Sequence, residues 1–175
     1  MVSLENCEWK EFFIEDIAHI EGGNGITKEK RLPGSVPYIT SSSMNNGVTD
    51  FVYPLPGYEV KRNCISVNSN GSVGYSFYHP YDVLISGDAK CVIPEVNNKY
   101  VSLFLVTQIT AQKEKYNYGY KMGEKRMKRQ KIMLPVNEEG YPDYAFMEEY
   151  IRELEHQILE NYVNFLDRNI QTQGG

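Results

Sequence analysis

Between Lys113 and Lys131 the chain reads Lys-Glu-Lys-Tyr-Asn-Tyr-Gly-Tyr-Lys-Met-Gly-Glu-Lys-Arg-Met-Lys-Arg-Gln-Lys, eight cations against two carboxylates with Tyr116, Tyr118 and Tyr120 set among them. Lys and Arg neutralise phosphates, whereas aromatic faces and guanidinium planes address bases. Cations interleaved with tyrosines therefore point to nucleic acid. Lys125, Arg126, Lys128 and Arg129 are the expected phosphate ligands, with Tyr118, Tyr120 and Lys121 expected at base edges or sugars. Two polar clusters could join them: Ser41-Ser42-Ser43-Met44-Asn45-Asn46 and Asn68-Ser69-Asn70-Gly71-Ser72. Their short side chains both donate and accept, and an Asn amide can address adenine N6 and N7 as a bidentate pair. The same residue types also build ordinary β-turns.

Signals for catalysis are weaker. Gly22-Gly-Asn-Gly25 followed by Lys28 lacks the GK[ST] ending of a phosphate-binding loop, and no strand-GxGxxG-helix arrangement occurs, so no nucleotide cofactor is expected. His79 with Cys64 or Cys91 would make a thiol-imidazole pair, but no spacing links them. Asp82, Asp88 and Lys90 offer the two carboxylates and lysine of a Mg²⁺-dependent nuclease, the alternative function. Against it, the short gap between the carboxylates suits a turn between strands, with Gly87-Asp88 at its tip. Neither a resident metal nor a cofactor is expected.

The elements that must position these groups fit one domain with an appended piece, as the 175-residue length suggests. Trp9–Ile14 is aromatic and β-prone, Glu15–Ile20 suits a helical turn or second strand, and Gly22–Gly25 breaks regular structure. Pro33-Gly34 signals a turn. Short β-like runs follow at Pro37–Thr40, Cys64–Val67, Gly74–Tyr78, Val83–Ile85, Lys90–Ile93 and Lys131–Val136, which predicts a twisted mixed sheet or partial barrel. Near-3.6 periodicity over Asn98–Lys113, with Asn98 as N-cap, predicts a helix packed on that sheet.

From Asp143 to Arg168 there is no Pro or Gly, and Asp143 is placed to cap. A helix some 35–40 Å long follows at ~1.5 Å per residue. Met147, Ile151, Leu154, Ile158 and Phe165 advance in alternating steps of three and four, a coiled-coil seam interrupted where Asn161 falls, which suits either packing on its own domain or projection to a partner helix. Charge separates along the same lines: residues 1–112 net −4, residues 113–131 net +6 and residues 132–175 net −7. The middle segment suits a polyanion, and the last suits protein partners. The fold class is therefore α+β, with a recognition domain over 1–140, a coiled-coil helix over 143–169 and a tail over 170–175. Cys7, Cys64 and Cys91 are an odd count without CxxC spacing, which fits a reducing cytoplasm. The acidic start and the lack of any apolar run near ~20 residues argue for a soluble protein without a membrane span.

In order, Trp9-Lys-Glu-Phe-Phe-Ile14, Pro37-Tyr-Ile-Thr-Ser-Ser42, Asn45-Asn-Gly-Val48, Cys64-Ile-Ser-Val-Asn-Ser-Asn-Gly-Ser-Val73, Phe77-Tyr-His-Pro-Tyr81, Tyr118-Gly-Tyr-Lys121 and Lys131-Ile-Met-Leu-Pro-Val136 resemble a target recognition domain of type I restriction-modification specificity subunits and related type IIB-like enzymes. The resemblance covers about residues 9–165. It implies a DNA-reading domain followed by a spacer helix that docks methyltransferase subunits. The family pattern has two domains and two helices, so this chain resembles half a subunit: either one that self-associates through its helix to read a symmetric split site, or an excised half of a longer one. Catalysis would then lie in other chains: a methyltransferase using S-adenosylmethionine, and a restriction subunit using ATP and Mg²⁺. No [DN]PP[YFW] methylation motif occurs in this chain, and no intrinsic activity is expected.

Overall fold

A computed structural model describes residues 3–117 and 119–173, the last four through their backbone alone. Among the described residues nine strands fall into three sheets. The largest is antiparallel, ordered β2 (Ala18–Gly22), β8 (Ala89–Pro94), β5 (Cys64–Asn68), β6 (Ser76–His79). A mixed sheet orders β4 (Val48–Val52), β3 (Pro33–Ile39) and β7 (Leu84–Ile85), with β3 and β7 parallel. The third pairs β1 (Trp9–Phe13) with β9 (Lys131–Pro135), leaving Pro135 at a strand end where its missing N–H breaks no ladder. The strands twist without closing a barrel, and the α+β class holds.

Every residue of β5 is buried because both of its faces are covered. Ile65 and Val67 face the main core with α1 (Lys99–Thr110), while Cys64 joins Ile39, Val83, Ile85 and Cys91 in a smaller cluster between sheets. Helix α1 starts where the Asn98 side chain accepts from the N–H groups of Tyr100 and Val101 at 3.0 and 2.9 Å, and it buries Val101, Phe104, Leu105 and Ile109. Pro33-Gly34 proves to open β3 rather than to form a turn. The register with β4 shifts between Pro33 and Val36, and this bulge absorbs the residues that signalled a turn.

A short helix, α2 (Glu124–Lys128), lies inside the cationic segment. The final helix, α3 (Tyr144–Gln173), continues past the expected end at residue 169. Asp143 caps it, accepting from the Phe146 N–H at 2.9 Å. Its first turns dock on α1: Met147 is buried, Ile151 and Tyr150 pack on the core, and Asn98 donates to Glu148 at 2.9 Å. Lys99 pairs with Glu155, and the Arg152 guanidinium lies 4.3 Å from the Tyr100 ring centroid. Leu154 is half-buried, and every described side chain from Ile158 to Asn169 is exposed. Ile158 and Phe165 are exposed together with Leu159, Tyr162, Val163 and Leu166, an apolar arc wider than the expected seam. Among the described residues no helix is long and apolar enough to cross a membrane.

Candidate nucleic-acid interface

Met122 and Met127 are fully buried, and they anchor the cationic segment to the core while its charged side chains turn outward. Lys125 and Arg129 are exposed, and among the described residues no carboxylate lies within ion-pair distance of either. Lys128 pairs with Glu124 at 2.9 Å, and that hydrogen bond holds the Glu124 carboxyl below its usual range. Arg126 places its guanidinium 4.0 Å from the Tyr120 ring centroid and donates to the Lys121 carbonyl at 2.8 Å. Tyr116 stacks on Tyr120 at 5.8 Å, and its hydroxyl donates to Gln130, whose amide reaches Gln112. These contacts order the strip before any ligand arrives. A groove of about 450 Å³ runs between Tyr116, Tyr120, Lys125, Arg126, Arg129 and Gln130. Tyr118 lies outside the described residues.

The polar loops interlock with one another. The Ser72 N–H donates to the Ser41 carbonyl at 3.2 Å, and Asn68 Nδ2 to the Ser42 carbonyl at 3.0 Å. The Asp88 carbonyl accepts from the N–H groups of Ser69 and Asn70 at 2.9 and 3.2 Å and from Ser69 Oγ at 2.8 Å. Asn45 and Asn46 are exposed with φ of 50° and 53°, left-handed values that Asn tolerates. Ser42 and Ser43 are half-buried, Ser42 Oγ accepting from the Met44 N–H at 3.1 Å. Asn68 corrects the expectation: it is fully buried and braces the Ser42 loop instead of reaching solvent. Gly74 brings loop and strip together. A Cβ there would lie 2.7 Å from the Lys113 Cα, and its φ of +83° suits glycine. Lys113 Nζ in turn lies 5.2 Å from the Tyr75 ring centroid.

The catalytic alternatives do not assemble. Asp82 pairs with Arg62 at 3.7 Å before β7, whereas Asp88 accepts from Asn70 after it, and Lys90 lies beside Gly22. Among the described residues no three His, Cys, Asp or Glu side chains gather to hold a metal. His79 Nε2 is 2.8 Å from Ser66 Oγ rather than paired to a thiol. Cys64 and Cys91 hydrogen-bond each other, which lowers the Cys64 pKa and raises that of Cys91. The buried methionines of the strip and the Lys113 seat on Gly74 escape a reading by charge alone. The two Met residues set within a cationic run were the available signal.

Position matters as much as composition. The N-terminal end of α1 holds α3 through Asn98 and Lys99, while its C-terminal end meets β6, Ser76 Oγ lying 2.6 Å from Thr110 Oγ1, and leads to Lys113. At ~1.5 Å rise per residue the two ends are roughly 18 Å apart. The cationic strip and polar loops thus adjoin at one end, and the apolar rod leaves from the other.

The sequence model of the family described as type I restriction modification DNA specificity domain matches residues 6–161. The chain is 40% identical over 159 residues to the type II restriction enzyme specificity subunit S.BcgI of Heyndrickxia coagulans, covering 90% of this chain and 46% of that one. It spans about half the length of this curated relative. The fold matches a type I restriction-modification S subunit from M. genitalium at TM-score 0.66 and 20% identity, over 94% of this chain and 43% of that one. An HsdS subunit from Thermoanaerobacter tengcongensis gives 0.62 at 13% identity, over 87% and 38%. The chain belongs to the family of type I restriction-modification DNA specificity domains.

Proposed function

We propose that this chain is the DNA-reading half of a specificity subunit and directs methyltransferase and restriction subunits without catalysing a reaction itself. The observation that carries this reading is the juxtaposition of the core-anchored strip with the interlocked Ser/Asn loops, away from the exposed rod. Lys125 and Arg129 meet phosphates first, because neither is neutralised by a neighbour. Lys128 contributes less while Glu124 holds it, and Arg126 positions Tyr120 and Lys121. Asn45, Asn46, Asn70 and Ser72 flank them for base-edge or sugar contact. Residues 1–140 form the recognition unit. The helix from 143 onward associates with a second copy through Ile158, Tyr162 and Phe165, and docks the methyltransferase. A double-stranded DNA partner and three free cysteines support a cytoplasmic location.

The test is a salt series of duplex binding by the full chain and its Lys125→Ala/Arg129→Ala variant. Two lost phosphate contacts, at about 0.9 each, should flatten the slope of log K against log salt by about 1.8. An unchanged slope would refute the assignment.

A further inference from the structure

We propose that Asp88 reads the exocyclic amino group of an adenine or cytosine in the major groove; this rests on the DNA-reading function above. The residue sits exposed at the turn between β7 and β8, within the polar loops. Three donors from Ser69 and Asn70 fix its backbone carbonyl at 2.8 to 3.2 Å. Its carboxylate Oδ1 accepts from Asn70 Nδ2 at 3.0 Å. Among the described residues no Lys or Arg pairs with it, although residues 113–131 carry eight cations. An ionised carboxylate only accepts hydrogen bonds, so beside a duplex it repels phosphates and finds no partner at guanine O6 and N7 or thymine O4. Cytosine N4 and adenine N6 are the major-groove groups that donate to it. Asn70 keeps a second Nδ2 hydrogen beside that carboxylate, which suits adenine N7. The pair is thus oriented before binding, with its attractive and repulsive halves both serving discrimination.

Selection by the full chain from a duplex pool randomised over about two helical turns tests this. With the wild type, one position should demand an amino-bearing base, and the sequenced winners separate adenine from cytosine. Asp88→Asn keeps an oxygen for Asn70 yet removes the charge. It should relax that one position by on the order of tenfold, hold the others and tighten binding to unrelated duplexes. A purely structural brace would instead weaken binding to all sequences and lower the melting temperature. Identical preferences at every position in wild type and Asp88→Asn would overturn the proposal. If the Lys125→Ala/Arg129→Ala variant retains duplex as well as the wild type does, the DNA-reading function itself falls, and that result is distinct from failure at Asp88.

Discussion

Acidification should destabilise this fold through one imidazole. His79 is fully buried, with Nε2 2.8 Å from Ser66 Oγ, Nδ1 without a partner among the described residues, and the Tyr81 ring edge-on at 5.8 Å. Burial pushes its pKa down from 6.5 to about 4, since a second N–H on the charged ring would have no buried acceptor. Above pH 6.5 the imidazole is neutral in folded and unfolded chains alike. Between 6.5 and 4 the unfolded chain takes up a proton that the folded one refuses, so stability is lost as pH falls through this window. The fall from 6.5 to about 4 corresponds to about 3 kcal/mol, with a limiting slope of about 1.4 kcal/mol per pH unit. For a chain of this size that is a fall in melting temperature of roughly 6–12 °C. Urea titrations from about pH 7 to about pH 4.5, on the wild type and on His79→Gln, isolate the effect from carboxylates that titrate lower. Gln retains a polar partner for Ser66 but cannot be protonated, so its curve should be the flatter. Parallel curves would refute the reasoning.

Two packing predictions bear on the interface. Met127→Ala should cost about 2–5 kcal/mol by emptying the anchor beneath α2, and amide exchange should quicken across 119–131 before it does elsewhere. Gly74→Ala forces a side chain against the Lys113 backbone at φ +83°; a loss above about 1 kcal/mol by urea titration, together with weaker duplex binding, is expected, and a neutral result would separate loop from strip.

Strands with a run of β-branched residues were legible, as were both longer helices, because Asn98 and Asp143 combine side-chain caps with clean periodicity. β4 was not, since Val48-Thr-Asp-Phe-Val52 mixes polar and apolar residues on an edge whose pairing comes from β3. Five-residue α2 lies below the length at which local propensity decides, and buried Met127 supplies what propensity does not. Asn68 shows the limit of composition. A short amide serves a buried brace as readily as a base edge, and only its tertiary position distinguishes the two. At the seam, a strict alternation of three and four steps lands on Asn161, whereas the exposed apolar arc also takes in Leu159, Tyr162, Val163 and Leu166.

Helix α3 offers a last discrimination, because its two proposed partners respond oppositely to salt. Ile158, Leu159, Tyr162, Val163, Phe165 and Leu166 are exposed on one arc, more apolar surface than a solitary helix end requires. Two copies meeting there bring together segments that each carry nine acidic residues and two basic ones over 132–175. Their repulsion is screened as the Debye length falls from about 10 Å at 0.1 M to about 3 Å at 1 M, so a homodimer should tighten with salt. A complementary, basic surface on another chain would be lost under the same conditions. Sedimentation equilibrium of the full chain across that range reads the sign directly. Ile158→Asp with Phe165→Asp should abolish the association without lowering the urea midpoint, since neither side chain touches the core. A dimer that survives both substitutions, or loosens as salt rises, would refute self-association through this arc, whereas DNA binding must weaken over the same range whichever partner α3 takes.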